Sequence, residues 1–435
     1  MSDRVLIVAI GSRGDVTPYV GLGTRLRDAG YRVAVAAHEP FGATVADAGL
    51  EFRSVPGEVH ALNSEVLVSP KLAEKGARLS MRARGELLTA YWREVAHGIL
   101  AAAELGTDLL LLNFTGWLPG RQIAEAMGLP TLGLNVYPVH PTGEHPPVSL
   151  ASARSYGRWG NRLAGRLTNW SVAQALLLRE ANRELRTTLG LPKASVTAVS
   201  RRIDADRWPI LHGVSPTLLP RPRDWREGLE VVGFWWPHQA PDWQPPAELV
   251  DFLDAGPPPV FVGFGSTAHG DNAETADLVA SALRESGSRG VIQTGWSGHQ
   301  GDDVITIGET AYDWLFPRMA AVVHHAGVGT CAYGLRAAVP TVGIPLINDQ
   351  HLWASRLGAL GVGPAAIPFK ELSSARLTAA IRAAATNEGY RDNARRIADR
   401  LSGEDGAGRV VEAVTRLLHD SPAGRVLSDS PGRRR

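Results

Sequence analysis

Two stretches of this sequence combine residue types that could do chemistry. One is His324-His325-Ala326-Gly327-Val328-Gly329-Thr330, followed roughly twenty residues later by Pro345-Leu346-Ile347-Asn348-Asp349-Gln350. The apolar run Ala320–Val323 reads as a buried strand, and Thr330–Ala337 as the start of a helix. Glycines at such a turn leave backbone N–H groups uncovered, and the helix N-terminus adds partial positive charge, which makes an anion site suited to phosphate. His325 at its rim can donate a further hydrogen bond, and Asp349-Gln350 offers acceptors and donors for sugar hydroxyls. Phosphate at one end and polyol at the other describe a nucleotide-sugar. The other stretch is Gly11-Ser12-Arg13-Gly14-Asp15-Val16-Thr17-Pro18, a second glycine turn with a carboxylate in it.

The elements that must position these turns follow from the periodicity. Val5–Ile10 is a short apolar run, Val16–Ala29 is helical, and Arg32–Ala36 is a strand. Asp108–Leu112 and Thr131–Leu134 repeat the strand signal around a helical Gln122–Met127. Strands alternating with helices predict parallel β-α-β units and a doubly wound sheet. Two long helical stretches, Pro70–Ala103 and Ser155–Leu189, exceed ordinary crossovers and are expected to wall a cleft. Prolines and tryptophans from Trp235 to Pro246 mark a boundary, so residues 1–236 form one predicted domain and 237–247 a linker. The pattern then restarts over 248–420, with strands at 260–262, 290–293, 304–307 and 342–344 and helices at 274–285, 390–401 and 407–418. The tail 421–435, rich in Ser, Pro, Gly and Arg, is expected to be disordered. Two such domains leave a cleft at the carboxyl ends of their strands, with a glycine turn from each half placed there.

Composition agrees with a globular protein of two domains: 435 residues, 44% hydrophobic and 20% charged. A net charge of +1 recommends neither nucleic acid nor an anionic membrane as the main partner. The single cysteine, Cys331, excludes an intramolecular disulfide and a cysteine-based zinc cluster. The first apolar run is too short for a secretion signal, and no stretch reaches the length of a membrane span, so the expected location is cytoplasmic.

These motifs resemble the inverting nucleotide-sugar glycosyltransferases of family 1, which have the GT-B fold. Gly11–Pro18 is similar to the opening motif of the bacterial antibiotic and sterol branch. Pro259-Val260-Phe261-Val262-Gly263-Phe264-Gly265-Ser266 is similar to the start of its second domain, and His324–Gln350 to its donor-binding signature. The sequence departs at Ala326, where the bacterial pattern has Gly; a small residue still fits there. It also lacks the plant-type Trp-Ala-Pro-Gln segment, whose equivalent is Gly308–Arg318, so base recognition does not carry over.

The resemblance implies two Rossmann-like domains and transfer of a hexose or deoxyhexose, with inversion, from a UDP- or dTDP-sugar to a hydroxyl of a hydrophobic small molecule. The polyketide, macrolide, glycopeptide and sterol classes are the expected acceptors. Asp15 is then the general base, on a turn formed with Ser12, Arg13 and Gly14. Its competing role is as N-cap of a helix starting at Val16 or Thr17. Ser266, Thr267, Trp296, His325, Gly327, Val328, Gly329, Thr330, Asp349 and Gln350 are the implied donor-binding set. For Ser266 and Thr267 turn stabilisation competes, for Trp296 plain packing, and for Asp349 capping of the next helix. His324, alternating to the opposite face, is expected to be structural, and His38 is a poor base candidate. Asp204-Ala205-Asp206 has the form of a manganese motif but not its setting, so a surface loop and metal-independent transfer without cofactor are expected. The acceptor is expected between Asp15, the 70–103 helices and the loop Asn135–Val148, near Trp92, Trp117, Tyr137, His140 and His145, in a monomer or homodimer.

Three alternatives are open. An NAD(P)-dependent oxidoreductase would use the first β-α-β unit, but Gly11-Ser12-Arg13-Gly14 is not Gly-x-Gly-x-x-Gly. A sugar-nucleotide epimerase would share the fold, and a non-catalytic binder of sugar nucleotides would share the site.

Overall fold

The computed structural model describes residues 2–57, 81–169, 178–240, 242–264, 273–293 and 303–420. Its strands fall into two wholly parallel sheets. The first contains β1 (Arg4–Val8), β2 (Arg32–Ala37), β3 (Glu51–Ser54), β4 (Leu109–Leu112), β5 (Thr131–Asn135), β6 (Ile210–His212) and β7 (Leu229–Val231), in the order β3-β2-β1-β4-β5-β6-β7. The second contains β8 (Val260–Gly263), β9 (Gly290–Gln293), β10 (Val304–Ile307), β11 (Ala321–His324) and β12 (Thr341–Gly343), in the order β10-β9-β8-β11-β12. The doubly wound arrangement read from the periodicity is therefore present twice. β3, β6 and β7 were not expected; their sequences, Glu51-Phe52-Arg53-Ser54, Ile210-Leu211-His212 and Leu229-Glu230-Val231, are interrupted by polar residues and show no continuous apolar run.

Alternation along the strands gives each sheet two buried faces, as covered parallel sheets require. In the first sheet Ile7, Val33, Val35, Leu109, Leu111 and Leu132 face one way, onto Tyr19, Leu22 and Leu26 of the helix Arg13–Asp28. Leu6, Val8, Ala34, Ala36, Leu110 and Leu112 face the other way, onto Val95, Ile99 and Ala103 of the helix Met81–Glu104. In the second sheet Val260, Val262, Ile292 and Val323 pack on Val279, Leu283, Leu377 and Ile381, while Phe261, Val291 and Val322 pack on Leu315 and Phe316.

The terminal helix Gly406–Thr415 does not stay with the second sheet, although the division read from sequence assigns residues 248–420 to one unit. Its Val410, Ala413 and Val414 complete the core around Tyr19 and Leu22 of the first helix. Asp405 caps it by accepting from the Gly408 N–H at 2.9 Å, and Tyr31 and Thr415 share a hydroxyl hydrogen bond at 2.8 Å. The chain thus crosses back and ties its end to its beginning. Truncating Val410 to Ala is expected to destabilise the first sheet's core by about 2 kcal/mol, measured as a lower urea midpoint with unchanged m-value.

Both glycine turns lie where the winding reverses. β1 has β2 on one side and β4 on the other, and β8 has β9 on one side and β11 on the other. Ligands of open α/β sheets bind outside the carboxyl ends of strands at such reversals. Gly11–Asp15 leaves the end of β1, and His325–Gly327 leaves the end of β11. Among the described residues, no helix is long and apolar enough to cross a membrane.

Candidate donor and acceptor site

The first turn is built around Asp15. The helix starts at Arg13, earlier than the periodicity suggested, with Ser12 as its N-cap. Asp15 is therefore not the N-cap but the third helical residue. Its Oδ2 accepts from the Ser12 N–H at 3.0 Å and from the Ser12 hydroxyl at 2.8 Å, the reciprocal half of a capping box. Those bonds fix one carboxylate oxygen and leave Oδ1 outside them. Burial raises the Asp15 pKa and the bonds from Ser12 hold it back, so the carboxylate is more basic than an exposed one. A Cβ at Gly11, whose φ is +149°, would lie 2.6 Å from the Asp15 Cβ, so the turn needs glycine there for Asp15 to sit as it does. Gly14 is exposed and packs on nothing close. Arg13 reaches away from the first sheet to Glu309, just after β10, at 2.6 Å. Both side chains are exposed, so the pair contributes at most about 1 kcal/mol.

The second turn carries the histidine pair. His324 is fully buried, and its Nδ1 accepts from the Ala326 N–H at 2.9 Å, which gives it the structural role expected from strand alternation. His325 sits at the rim with its ring over Gly327: a Cβ there would fall 2.4 Å from its Nε2. Gly327 is the N-cap of the helix Val328–Arg336, so the imidazole lies directly at that helix N-terminus, beside Val328, Gly329 and Thr330. Burial pulls the His325 pKa down to about 4, so near neutral pH the ring is uncharged and has one N–H to donate. Its Nδ1 is buried without a protein partner. Ala326, the departure from the bacterial pattern, has φ +61° and is fully buried. A methyl fits, at the cost of holding an L-residue in the left-handed region. Cys331, one turn on, is buried and its thiol pKa is raised well above the ordinary value, so it is a packed, inert thiol.

Asp349 and Gln350 follow β12 through a turn whose Asn348 takes φ +48°, a conformation asparagine tolerates. Gln350 is buried, and its Oε1 accepts from the N–H groups of Leu346 and Ile347 at 2.8 and 3.0 Å. Its carbonyl therefore shapes the loop, and only the amide NH2 remains to meet a ligand. Asp349 is held through Oδ2 by the indole N–H of Trp353 at 2.6 Å. Burial pushes the Asp349 pKa up to about 6, and the charge of Asp15 adds a smaller push. The two carboxylates, more than 300 residues apart in sequence, are therefore near enough to feel each other's charge. Tyr137 lies near both: its phenol pKa is raised by burial and by both Asp15 and Asp349, and its ring meets Phe114 edge-on at 5.9 Å.

Ser266, Thr267 and Trp296 lie outside the described residues. Of the loop expected to line the acceptor, Tyr137 reaches the cleft. His140 instead turns inward, where its ring packs with His212 and Trp225 at 5.6 and 6.0 Å, and His145 is buried against the Pro146 carbonyl. Trp117 is buried in the second face of the first core, and Trp92 packs partly against it. His38 is buried between the Val55 carbonyl and the Tyr91 hydroxyl, in agreement with its rejection as a base. Asp204 and Asp206 lie at the end of the helix Val196–Ala205, not in a loop, and pair with Arg226 and Arg121 at 3.0 and 2.9 Å. Trp353 and Glu309 are the parts that sequence reasoning left out of the site. Only Trp353 left a usable signal, one helical turn beyond Asp349.

Comparison with known proteins agrees with this architecture. Residues 5–101 match the glycosyltransferase family 28 N-terminal domain, and residues 297–417 match the erythromycin biosynthesis protein CIII-like C-terminal domain. An O-mycaminosyltylonolide 6-deoxyallosyltransferase of Streptomyces fradiae is 34% identical across 99% of this chain and 100% of its own length. The chain belongs to the family-1-like GT-B glycosyltransferases. A sterol 3-beta-glucosyltransferase of Arabidopsis thaliana is 32% identical to this glycosyltransferase, which spans 66% of the plant enzyme's length. The fold is also that of solved glycosyltransferases. The calicheamicin enzyme CalG4 superposes with a TM-score of 0.69 at 18% identity, over 98% of this chain and all of CalG4. VinC, crystallised with dTDP, gives 0.66 at 19% identity, over 96% of this chain and all of VinC.

Proposed function

We propose that this glycosyltransferase moves a hexose or deoxyhexose from a UDP- or dTDP-sugar to a hydroxyl of a hydrophobic small molecule, with inversion and with Asp15 as general base. One observation supports the reading: Arg13, on the turn that carries Asp15, pairs with Glu309 beside the second sheet at 2.6 Å, so the turn with the basic carboxylate faces the sheet that carries the glycine-capped helix N-terminus. In the proposed step Asp15 takes the acceptor hydroxyl's proton as that oxygen attacks the anomeric carbon from the face opposite the diphosphate. The bond from the anomeric carbon to the phosphate oxygen breaks, and its electron pair leaves with the nucleoside diphosphate. The N–H groups at the start of Val328–Arg336 and the His325 ring oppose the negative charge that builds there. Asp349 and the Gln350 amide are assigned to the donor's hydroxyls, and Ser266, Thr267 and Trp296 to its phosphates and base. No metal or cofactor is invoked in this scheme. The dTDP bound to VinC and the 6-deoxyallosyl transfer named for the Streptomyces relative support a dTDP-deoxysugar; the sterol glucosyltransferase relatives support a hexosyl donor and a flat apolar acceptor.

Calorimetry with UDP and dTDP, followed by product mass analysis over a panel of hydrophobic acceptors, tests the proposal; turnover of NADH, or donor epimerisation without acceptor, would replace it. Replacing His325 by Ala is expected to weaken nucleoside diphosphate binding about tenfold, the value of one hydrogen bond to a charged group. An unchanged dissociation constant would remove His325 from the donor site.

A further inference from the structure

Five of the exposed large apolar side chains cluster in one short stretch: Leu150, Tyr156, Trp159, Leu163 and Leu167. The last three lie on the helix Gly157–Asn169 at i, i+4 and i+8, so they form one stripe along one face. The stripe is displayed, not frayed: Trp159 is 86% exposed, Leu163 59% and Leu167 64%. Contacts on the other sides of the helix fix it in this orientation. The buried Asn161 donates to the Gly143 carbonyl at 3.2 Å, Gly165 lies close against Pro141, and Arg162 pairs with Asp224 at 3.1 Å.

The charge of this segment is one-sided. Arg154, Arg158 and Arg166 are exposed, and no carboxylate among the described residues pairs with them. The helix itself contains neither Asp nor Glu, although the whole chain is almost neutral at +1. Isolated apolar residues on a surface are unremarkable. A Trp-Leu-Leu stripe beside exposed arginines on a helix without acids is the composition of a helix that lies in a lipid interface.

We infer that this helix docks on an anionic bilayer surface, with Trp159, Leu163 and Leu167 entering the headgroup region and Arg154, Arg158 and Arg166 meeting lipid phosphates. Size separates this occupant from a second copy of the chain. A stable protein interface needs about 800 Å² and 20–30 residues per partner, whereas one ridge of three to five side chains offers far less. A bilayer accepts such a ridge without complementary shape. The location gives docking a use. The helix contacts Val148–Leu150, which in turn contacts the helix Gln350–Ala359 beside the cleft. Docking would therefore bring lipid next to the path of an apolar acceptor. Only that last consequence rests on the proposed transfer; the membrane contact does not.

The test is sedimentation of the full chain with vesicles of phosphatidylcholine alone or mixed with phosphatidylglycerol, in low and high salt. Binding is expected to the mixed vesicles, at least about tenfold weaker to phosphatidylcholine alone and in high salt. The triple variant Trp159→Ser, Leu163→Ser, Leu167→Ser is expected to lose that binding at least tenfold, and Arg158→Gln with Arg166→Gln to lose its salt-sensitive part. Both variants should keep the wild-type melting temperature and UDP or dTDP affinity, because none of these residues belongs to the site. No sedimentation with mixed vesicles, or equal sedimentation of the triple variant, would overturn the inference. So would a dimer in light scattering that the triple substitution converts to monomer without any vesicle binding, which would give the stripe to a second copy.

Discussion

Replacing Asp15 by Asn is expected to lower glycosyl transfer by at least about a hundredfold, while nucleotide binding and folding change little. The size follows from the task. A hydroxyl is a poor nucleophile near neutral pH, and a positioned base contributes about 10²–10⁴-fold. The selectivity follows from the geometry. Asparagine is nearly isosteric, and its carbonyl can still accept from the Ser12 N–H and hydroxyl as the Asp15 Oδ2 does. The helix start therefore survives, and only the capacity to take a proton is lost. A capping role alone predicts normal turnover in this variant, because the bonds from Ser12 are kept, so kcat at an unchanged melting temperature separates the two. Near-wild-type kcat would remove Asp15 as the base. The pH profile offers a second check: burial raises the Asp15 pKa, so the acidic limb of kcat/KM is expected above the ordinary aspartate range. Asp349, pushed up to about 6, also titrates there, and Asp349→Asn distinguishes the two limbs.

The other large effect is acid sensitivity of the fold. Burial holds His140 and His212 at about 3 and His325 at about 4, and it pushes His324 well below its ordinary value too. An unfolded imidazole titrates near 6.5. Between about pH 6.5 and 4 the unfolded chain therefore binds protons at these positions and the native chain does not. Stability then falls as pH falls, by about 1.4 kcal/mol per pH unit for each fully linked histidine. Asp349 acts in the opposite sense, because its raised pKa lets the native state take up a proton first. Counting the three histidines near 3–4 against this one carboxylate leaves a loss of roughly 3 kcal/mol from pH 6 to pH 5, a large part of a typical total stability. Urea midpoints measured from pH 7.5 to 5 should show it. His212→Phe, which removes one buried imidazole from beside Trp225, should flatten the slope by about half even if it shifts the absolute value. A pH-independent midpoint would contradict the burial of these rings.

Much of this molecule is legible in the chain because its signals are local. Apolar runs such as Val5–Val8 and Leu109–Leu112 are buried on both faces and show as continuous hydrophobic stretches. The turns at Gly11 and Gly327 are legible because close approaches to Asp15 and His325 leave no room for a Cβ. Residue type and spacing thus determined the doubly wound class, both glycine turns and the phosphate-type helix N-terminus. The tertiary structure decided what depends on distant partners. It decided that Asp15, Tyr137 and Asp349 lie near enough to feel one another's charge while His140 turns inward. It also decided that the Gln350 carbonyl serves its own loop and that Gly406–Thr415 returns to the first sheet. These facts are set by the packing of segments hundreds of residues apart, for which a periodicity confined to one segment carries no information.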